Sequence, residues 1–269
     1  MTELLALVDA GSLTMLGAIF AVLALAAWAG HRVSVLRTER DPEQDEGFKI
    51  VLGATLSLFG LLIGFLLSFA ISGYNTRVAA EEHEALAVAN AWQRTALLSS
   101  TATQTQAQAM LDQYLDLRIH FYQAPEEAPR AALRQQAIAL QTEMWLFVSE
   151  VAKQAPNPLS MSLVEACNQL YITQQKTMAS WRHQIPVAAW LILIVFGVCS
   201  NFLIGYNIRS RHKSGLLMLV VPFVTALALF MIAEIDVPGK GVIHVTPDNL
   251  QALRHTVAAV PAAHGLVAP

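Results

Sequence analysis

Apolar positions along the chain follow two rhythms. In four windows they run almost without interruption: Leu13–Ala29, Ile50–Ser72, Ile185–Tyr206 and Leu216–Ile235. About 20 residues cross the hydrocarbon core of a bilayer, so each window is long enough for a transmembrane helix, the first only just. The second is the strongest. It holds 14 residues of the Leu, Ile, Val and Phe types, which favour insertion by about 4–8 kcal/mol. Four such stretches in one chain are hard to bury in a water-soluble core.

Between the second and third windows the rhythm changes. From Tyr74 to Phe196 there is no glycine, and proline occurs only at 125, 128, 156, 158 and 186. Alanine, glutamine and leucine dominate, a helical composition. Apolar residues recur at helical spacing. Ala85, Val88 and Trp92 share a face, as do Met110, Tyr114, Leu117 and Phe121. Leu133, Ala137, Leu140, Met144, Val148 and Val151 form a third stripe. Leu163, Cys167, Leu170, Met178 and Trp181 form a fourth, interrupted at Gln174. Breaks are expected at Gln123–Arg130 and Ala155–Pro158, with a softer one at Ser99–Thr103. Asn157-Pro158 reads as a helix start with proline in the first position; Ser162 with Glu165 is an alternative capping box. The first of these helices should continue the second window without a break, and the last should run into the third near Pro186.

The predicted fold is an all-α membrane protein, with four transmembrane helices and a helical bundle domain inserted between the second and third. In chain order this gives a short tail over 1–12 and a first transmembrane pair over 13–72 around a basic loop at 31–49. An extramembrane helical domain over 73–184, a second pair over 185–235 and a C-terminal segment over 236–269 follow. In that last segment Pro238-Gly239-Lys240-Gly241 predicts a turn and Val242–Val245 a short strand. Thr246 predicts a helix cap with Pro247 at the first position, and the chain is expected to fray from about Ala258.

Composition sharpens the class. Hydrophobic residues make up 55% of the chain and charged residues 14%, against about 25% charged in a soluble domain. A net charge of −3 leaves no general basic surface for nucleic acid, and no nucleic-acid-binding motif is present. The first residues carry no Lys or Arg, so they lack the charged start of a signal peptide and the first window reads as a retained span. Cys167 lies in the polar middle and Cys199 in a window, poorly placed to bridge, so both read as free thiols.

Charge in the short loops predicts orientation. Arg32, Arg37, Arg40 and Lys49 follow the first window; Arg209, Arg211 and Lys213 follow the third. These are seven of the chain's 17 basic residues. Both loops are therefore expected in the cytoplasm. Residues 73–184 and both termini are expected outside, on the periplasmic side of a bacterial inner (plasma) membrane.

Candidate chemistry is sparse. The second window carries a row of small residues, Gly53, Ser57, Gly60, Gly64 and Ser68, which fall within about 80° of the helix circumference at 3.6 residues per turn. Such a row lets another helix approach closely. It fits packing within the chain, or a subunit interface or pore lining. Beyond the window lie Arg77, Glu81, Glu82, His83 and Glu84. Arg77 and Glu81 can pair at i,i+4. Glu84 has no cation within four positions, so this patch is either a solvated face or the source of a buried pair with Arg94 or Arg118. Asp112, Asp116 and His120 align along one helix face, without the second cluster a metal site needs. No catalytic signature is present, so no metal, cofactor or enzymatic role is expected.

The order of short motifs resembles the bestrophin-like domain family of bacterial membrane proteins. Gly64-Phe65-Leu66-Leu67-Ser68 is followed by Tyr74, Arg77, Glu84-Ala85 and Arg94. Tyr114, Asp116 and Arg118 then match a tyrosine-x-aspartate-x-arginine stretch. Asp236, Pro238, Gly241, Val245 and Pro247 look like the family's C-terminal turn. The resemblance spans roughly residues 50–255. It implies a pentameric anion channel of the bestrophin type with a cytosolic helical part, whereas the loop charges place that part outside. Three roles follow: an oligomeric ion channel or pore, a non-catalytic membrane scaffold or envelope-interaction protein, or a sensor without its own output domain. The expected partners are the lipid bilayer, further copies of the chain, and an unidentified ion or protein.

Overall fold

Long runs without glycine or proline become long helices. The structure, a computed structural model, describes residues 10–36, 42–124, 126–208, 215–239 and 243–264. Its regular structure is helix: α1 (Ala10–Leu36), α2 (Pro42–Thr95), α3 (Thr101–Gln123), α4 (Glu127–Gln154), α5 (Pro158–Arg182), α6 (Val187–Asn207), α7 (Gly215–Asp236) and α8 (Asp248–His264). Among the described residues, four helices are long and apolar enough to cross a membrane. The chain is a multi-pass membrane protein, and its spans meet lipid.

Boundaries shift in physically simple ways. The first pair of helices extends well into the expected loop at 31–49, since α1 runs to Leu36 and α2 starts at Pro42, a proline at the first helical position. Helix α2 continues unbroken for 54 residues, as the absence of glycine beyond Gly73 predicts. Helices α5 and α6 are separate, with Pro186 as the N-cap of α6. Helix α5 is capped by Asn157, whose side chain accepts from Leu159 and Ser160 N–H while Ser160 returns a bond to Asn157 N–H. The alternative box at Ser162 is not formed, because that hydroxyl bonds back to the Leu159 carbonyl. Residues 243–247 are not strand, and α8 spans Asp248–His264. Arg37, Arg40, Arg209, Arg211, Lys213, Lys240, Gly241 and Val242 lie outside the described residues, as do 1–9 and 265–269.

The chain parts into two compact units. The first contains α1, α2 as far as Gly73, α6 and α7. Helix α1 packs along α6 and α7. The α1–α6 contact is backbone on backbone: a Cβ on Gly205 would fall on the Ala27 carbonyl, and one on Gly30 on the Phe202 carbonyl. Close approach of this kind is what small residues supply inside a bilayer. Helix α2 joins through Phe59, whose ring lies against Gly197, and through Phe48, 5.1 Å from the Tyr206 ring. Polar groups here are tied internally. Asn201 donates to the Gly197 carbonyl, His31 to the Ile208 carbonyl, and Ser12 to Glu234.

The second unit contains α2 from Tyr74 onward, α3, α4, α5 and α8. Its core joins the four predicted stripes, with Val88, Tyr114, Leu115, Leu170 and Leu250 almost fully buried. Gln174, which interrupts the α5 stripe in sequence, is itself fully buried.

The α1–α6 contact generates a stability test. Gly205→Ala should lower the thermal midpoint of the detergent-purified protein, with a loss on the order of 1–3 kcal/mol from overpacking. Gly60→Ala, where an added methyl meets nothing within 4 Å among the described residues, should not lower it, because alanine is favoured over glycine by about 1 kcal/mol in a helix interior. Equal midpoints for the two variants, followed by circular dichroism, would show that α1 and α6 have room to separate.

Candidate functional site

Beyond Gly73, helix α2 turns three charged side chains inward at helical spacing. Arg77, Glu81 and Glu84 are all buried, while Glu82 and His83 remain exposed. The patch is therefore no solvated face. Helical spacing places 77, 81 and 84 on the side that also carries Ala85 and Val88.

Glu84 meets Arg118 of α3. The guanidinium Nη2 lies 2.9 Å from Oε1, and Nε donates to Oε2 at 3.2 Å. Neither side chain is more than 1% exposed. The Tyr122 hydroxyl donates to Oε2 at 3.4 Å. Aromatic rings close the pair off: the Arg118 guanidinium sits 4.4 Å from the Phe121 ring and 5.7 Å from Tyr122. Both rings touch Trp181 of α5. On Trp181 lies a second arginine, Arg130 of α4, 5.2 Å from the ring. Arg130 donates to the Pro238 carbonyl. Gly239 follows with a φ of 71°, and a Cβ there would strike the Arg130 guanidinium. Left-handed backbone and the lack of room both call for glycine at this turn.

Electrostatics keep Arg118 charged and its tyrosine neighbours neutral. Burial acts to lower the Arg118 pKa, but the Glu84 carboxylate and the Tyr114 and Tyr122 hydroxyls outweigh it, and the net shift is upward. Burial, reinforced by the Glu84 charge, raises the Tyr122 hydroxyl well above the usual phenol range and moves Tyr114 the same way. Both stay protonated. Gln141 of α4 donates to the Tyr114 oxygen at 3.1 Å.

A second buried carboxylate binds the C-terminal helix. Glu81 accepts from Asn249 Nδ2 at 2.6 Å and from Leu250 N–H at 3.0 Å. It thus occupies the N-terminal turn of α8, where free N–H groups favour an anion. Thr246, expected to cap this helix, donates instead to the Asp248 carboxylate. On the next turn of α8, Arg254 pairs with Asp116 of α3; both are largely exposed, so the pair contributes little.

The remaining sequence candidates separate. Tyr74 packs against the core, and Arg94 donates to the Ser162 carbonyl. Asp236, in the first unit, accepts from Ile185 N–H and Trp190 Nε1, while Pro238 belongs to the Arg130 turn. Asp116 is held by Arg254, and its carbonyl meets His120; no cluster of three or more potential metal ligands occurs among the described residues. Gly53, Ser57, Gly60, Gly64 and Ser68 all lie on the exposed face of α2. A Cβ on Gly53, Gly60 or Gly64 would meet nothing within 4 Å. Among the described residues, then, the three glycines of the row make no close packing contact within the chain. That role falls to Gly30 and Gly205. Arg130, Gln141 and the α8-binding role of Glu81 carry no sequence signal of their own, because each depends on a partner distant in the chain.

The buried pair has a measurable consequence. Removing one charge strands the other, so Glu84→Gln should cost about 3–5 kcal/mol, read as a lowered unfolding midpoint. The double change Glu84→Leu with Arg118→Met should recover much of that loss. A Glu84→Gln protein as stable as wild type would show that Arg118 does not need its counter-charge.

A model of the bestrophin-like domain matches residues 17–250. That range takes in the small-residue row, the Glu84–Arg118 pair, the Arg130 turn and the start of α8. Two crystal structures of membrane proteins are similar at 12% identity. One covers 93% of this chain and 96% of its own at a TM-score of 0.45; the other covers 91% and 95% at 0.49. No curated protein matches. The chain belongs to the bestrophin-like domain family.

Proposed function

We propose that the protein is one subunit of a homo-oligomeric ion channel or pore, assembled through the exposed face of α2. The observation that carries this reading is the row Gly53, Ser57, Gly60, Gly64 and Ser68, all outward, with open space at the three glycines. Glycine costs about 1 kcal/mol against alanine in a helix interior. Lipid gives nothing back for it, since acyl chains pack as well on leucine. A second helix backbone or a water-filled path does, the first by close packing and the second by the room it needs. In this reading residues 74–183 with α8 form the extramembrane bundle, and the Glu84–Arg118 pair keeps that bundle rigid. The protein does no covalent chemistry. The loop charges support an outward bundle and outward termini in a bacterial inner membrane.

The assembly is tested by mass. Gly60→Leu and Gly64→Leu should each shift the detergent-solubilised particle to a smaller mass by light scattering, and should reduce ion flux in reconstituted liposomes. A wild-type particle that is already monomeric ends this reading. An unchanged oligomer in both variants, with flux intact, removes the row from interface and path alike.

Orientation is tested separately. Alkaline phosphatase fused after Ala155 or after Pro269 should be active, and a fluorescent reporter that matures only in the cytoplasm should fluoresce after Arg40. Inactive phosphatase at both positions reverses the topology.

A further inference from the structure

Helix α8 lies on the second unit by a thin stripe. From Asp248 to Ala259 only Leu250 and Val257 are buried, with Leu253 partly buried between them. Helix α5 of the same unit buries ten side chains along its 25 residues. The other ties of α8 are polar. Arg254 pairs with Asp116 of α3 where water reaches both. Asn249 Nδ2 and Leu250 N–H donate to Glu81 of α2, which is 1% exposed. Just ahead of the helix, Val245 is buried in the unit's core, and residues 243–247 form no regular structure.

We propose that α8 is a strap: it unfastens from α2 and α3 as one unit while the rest of the bundle stays folded, and Glu81 is its fastener. Segments with few buried apolar contacts open locally at a fraction of the cost of global unfolding. Two buried side chains between Asp248 and Ala259 are few. Buried Val245 gives the strap an anchored end, and the irregular residues after it can absorb the change in backbone angles. Burial singles out the fastener. Water competes at Asp116 and Arg254, so that pair holds little. At Glu81 water is excluded, and the carboxyl group takes up two donors from the first turn of α8. One of them is a backbone N–H with no helical acceptor. Opening hands these groups to water. The Glu84–Arg118 pair joins α2 to α3, so it stays in place when α8 leaves.

Hydrogen–deuterium exchange of the full-length protein in detergent, read by mass spectrometry, tests the strap. Peptides of α8 should exchange together, at least about tenfold faster than peptides of α5. Asn249 is exposed, and serine has a similar helix propensity. Asn249→Ser therefore removes one bond to Glu81 and little else. It should speed exchange in α8 roughly fivefold and leave α3, α4 and α5 unchanged. Glu81→Ala should speed α8 further. Arg254→Gln should change it by about twofold or less. Equal protection of α8 and α5 in the wild type overturns the proposal, since the helix would then open only with the whole unit. Equal acceleration of α5 and α8 in both the Asn249→Ser and Glu81→Ala proteins does the same. An α8 rate that Asn249→Ser leaves unmoved, or that Arg254→Gln raises more, removes Glu81 as the fastener.

Discussion

The second unit depends on one buried ion pair. Removing Glu84 and Arg118 from water costs several kcal/mol per charge, and the structure offsets this with geometry. Two guanidinium nitrogens reach the carboxylate, the Tyr122 hydroxyl adds a third donor, and aromatic faces cover the cation. Such a pair tolerates few alternatives. A shift of one turn in α3 against α2 would leave two unmatched charges in an apolar core. The arrangement therefore sets the register of these helices more firmly than leucine and alanine stripes alone would. Trp181 and Arg130 carry the constraint onward to α5, α4 and the Pro238–Gly239 turn.

Carboxylates recur at the ends of helices. Glu81 binds the first turn of α8, and Asp236 binds the backbone just before α6. In each case a carboxylate distant in the chain meets N–H groups that have no helical acceptor. Helix α8 is consequently held by the buried Glu81 carboxyl group as well as by Leu250 and Val257.

Small residues serve two ends in the first unit. At Gly30 and Gly205 they remove the Cβ atoms that would separate α1 from α6. At Gly53, Gly60 and Gly64 the same residue type meets no neighbour among the described residues. Spacing does not distinguish these cases. The five-residue row in α2 has the more regular pattern, yet the isolated glycines make the intrachain contact.

The sequence by itself determined the secondary structure and the membrane class. Uninterrupted apolar windows have no other solvent that suits them, and a chain without glycine from Tyr74 to Phe196 has little reason to leave the helix. It also exposed Glu84 as a carboxylate without a local cation, and named Arg118 among its two candidate partners. Only the tertiary structure chose Arg118 over Arg94, buried Arg77 and Glu81, took Gln174 into the core and turned the α2 row outward. Helical periodicity states which residues share a face. It does not state what that face meets, because the partner lies on another helix, and the energy of a buried charge or a bare glycine is decided there.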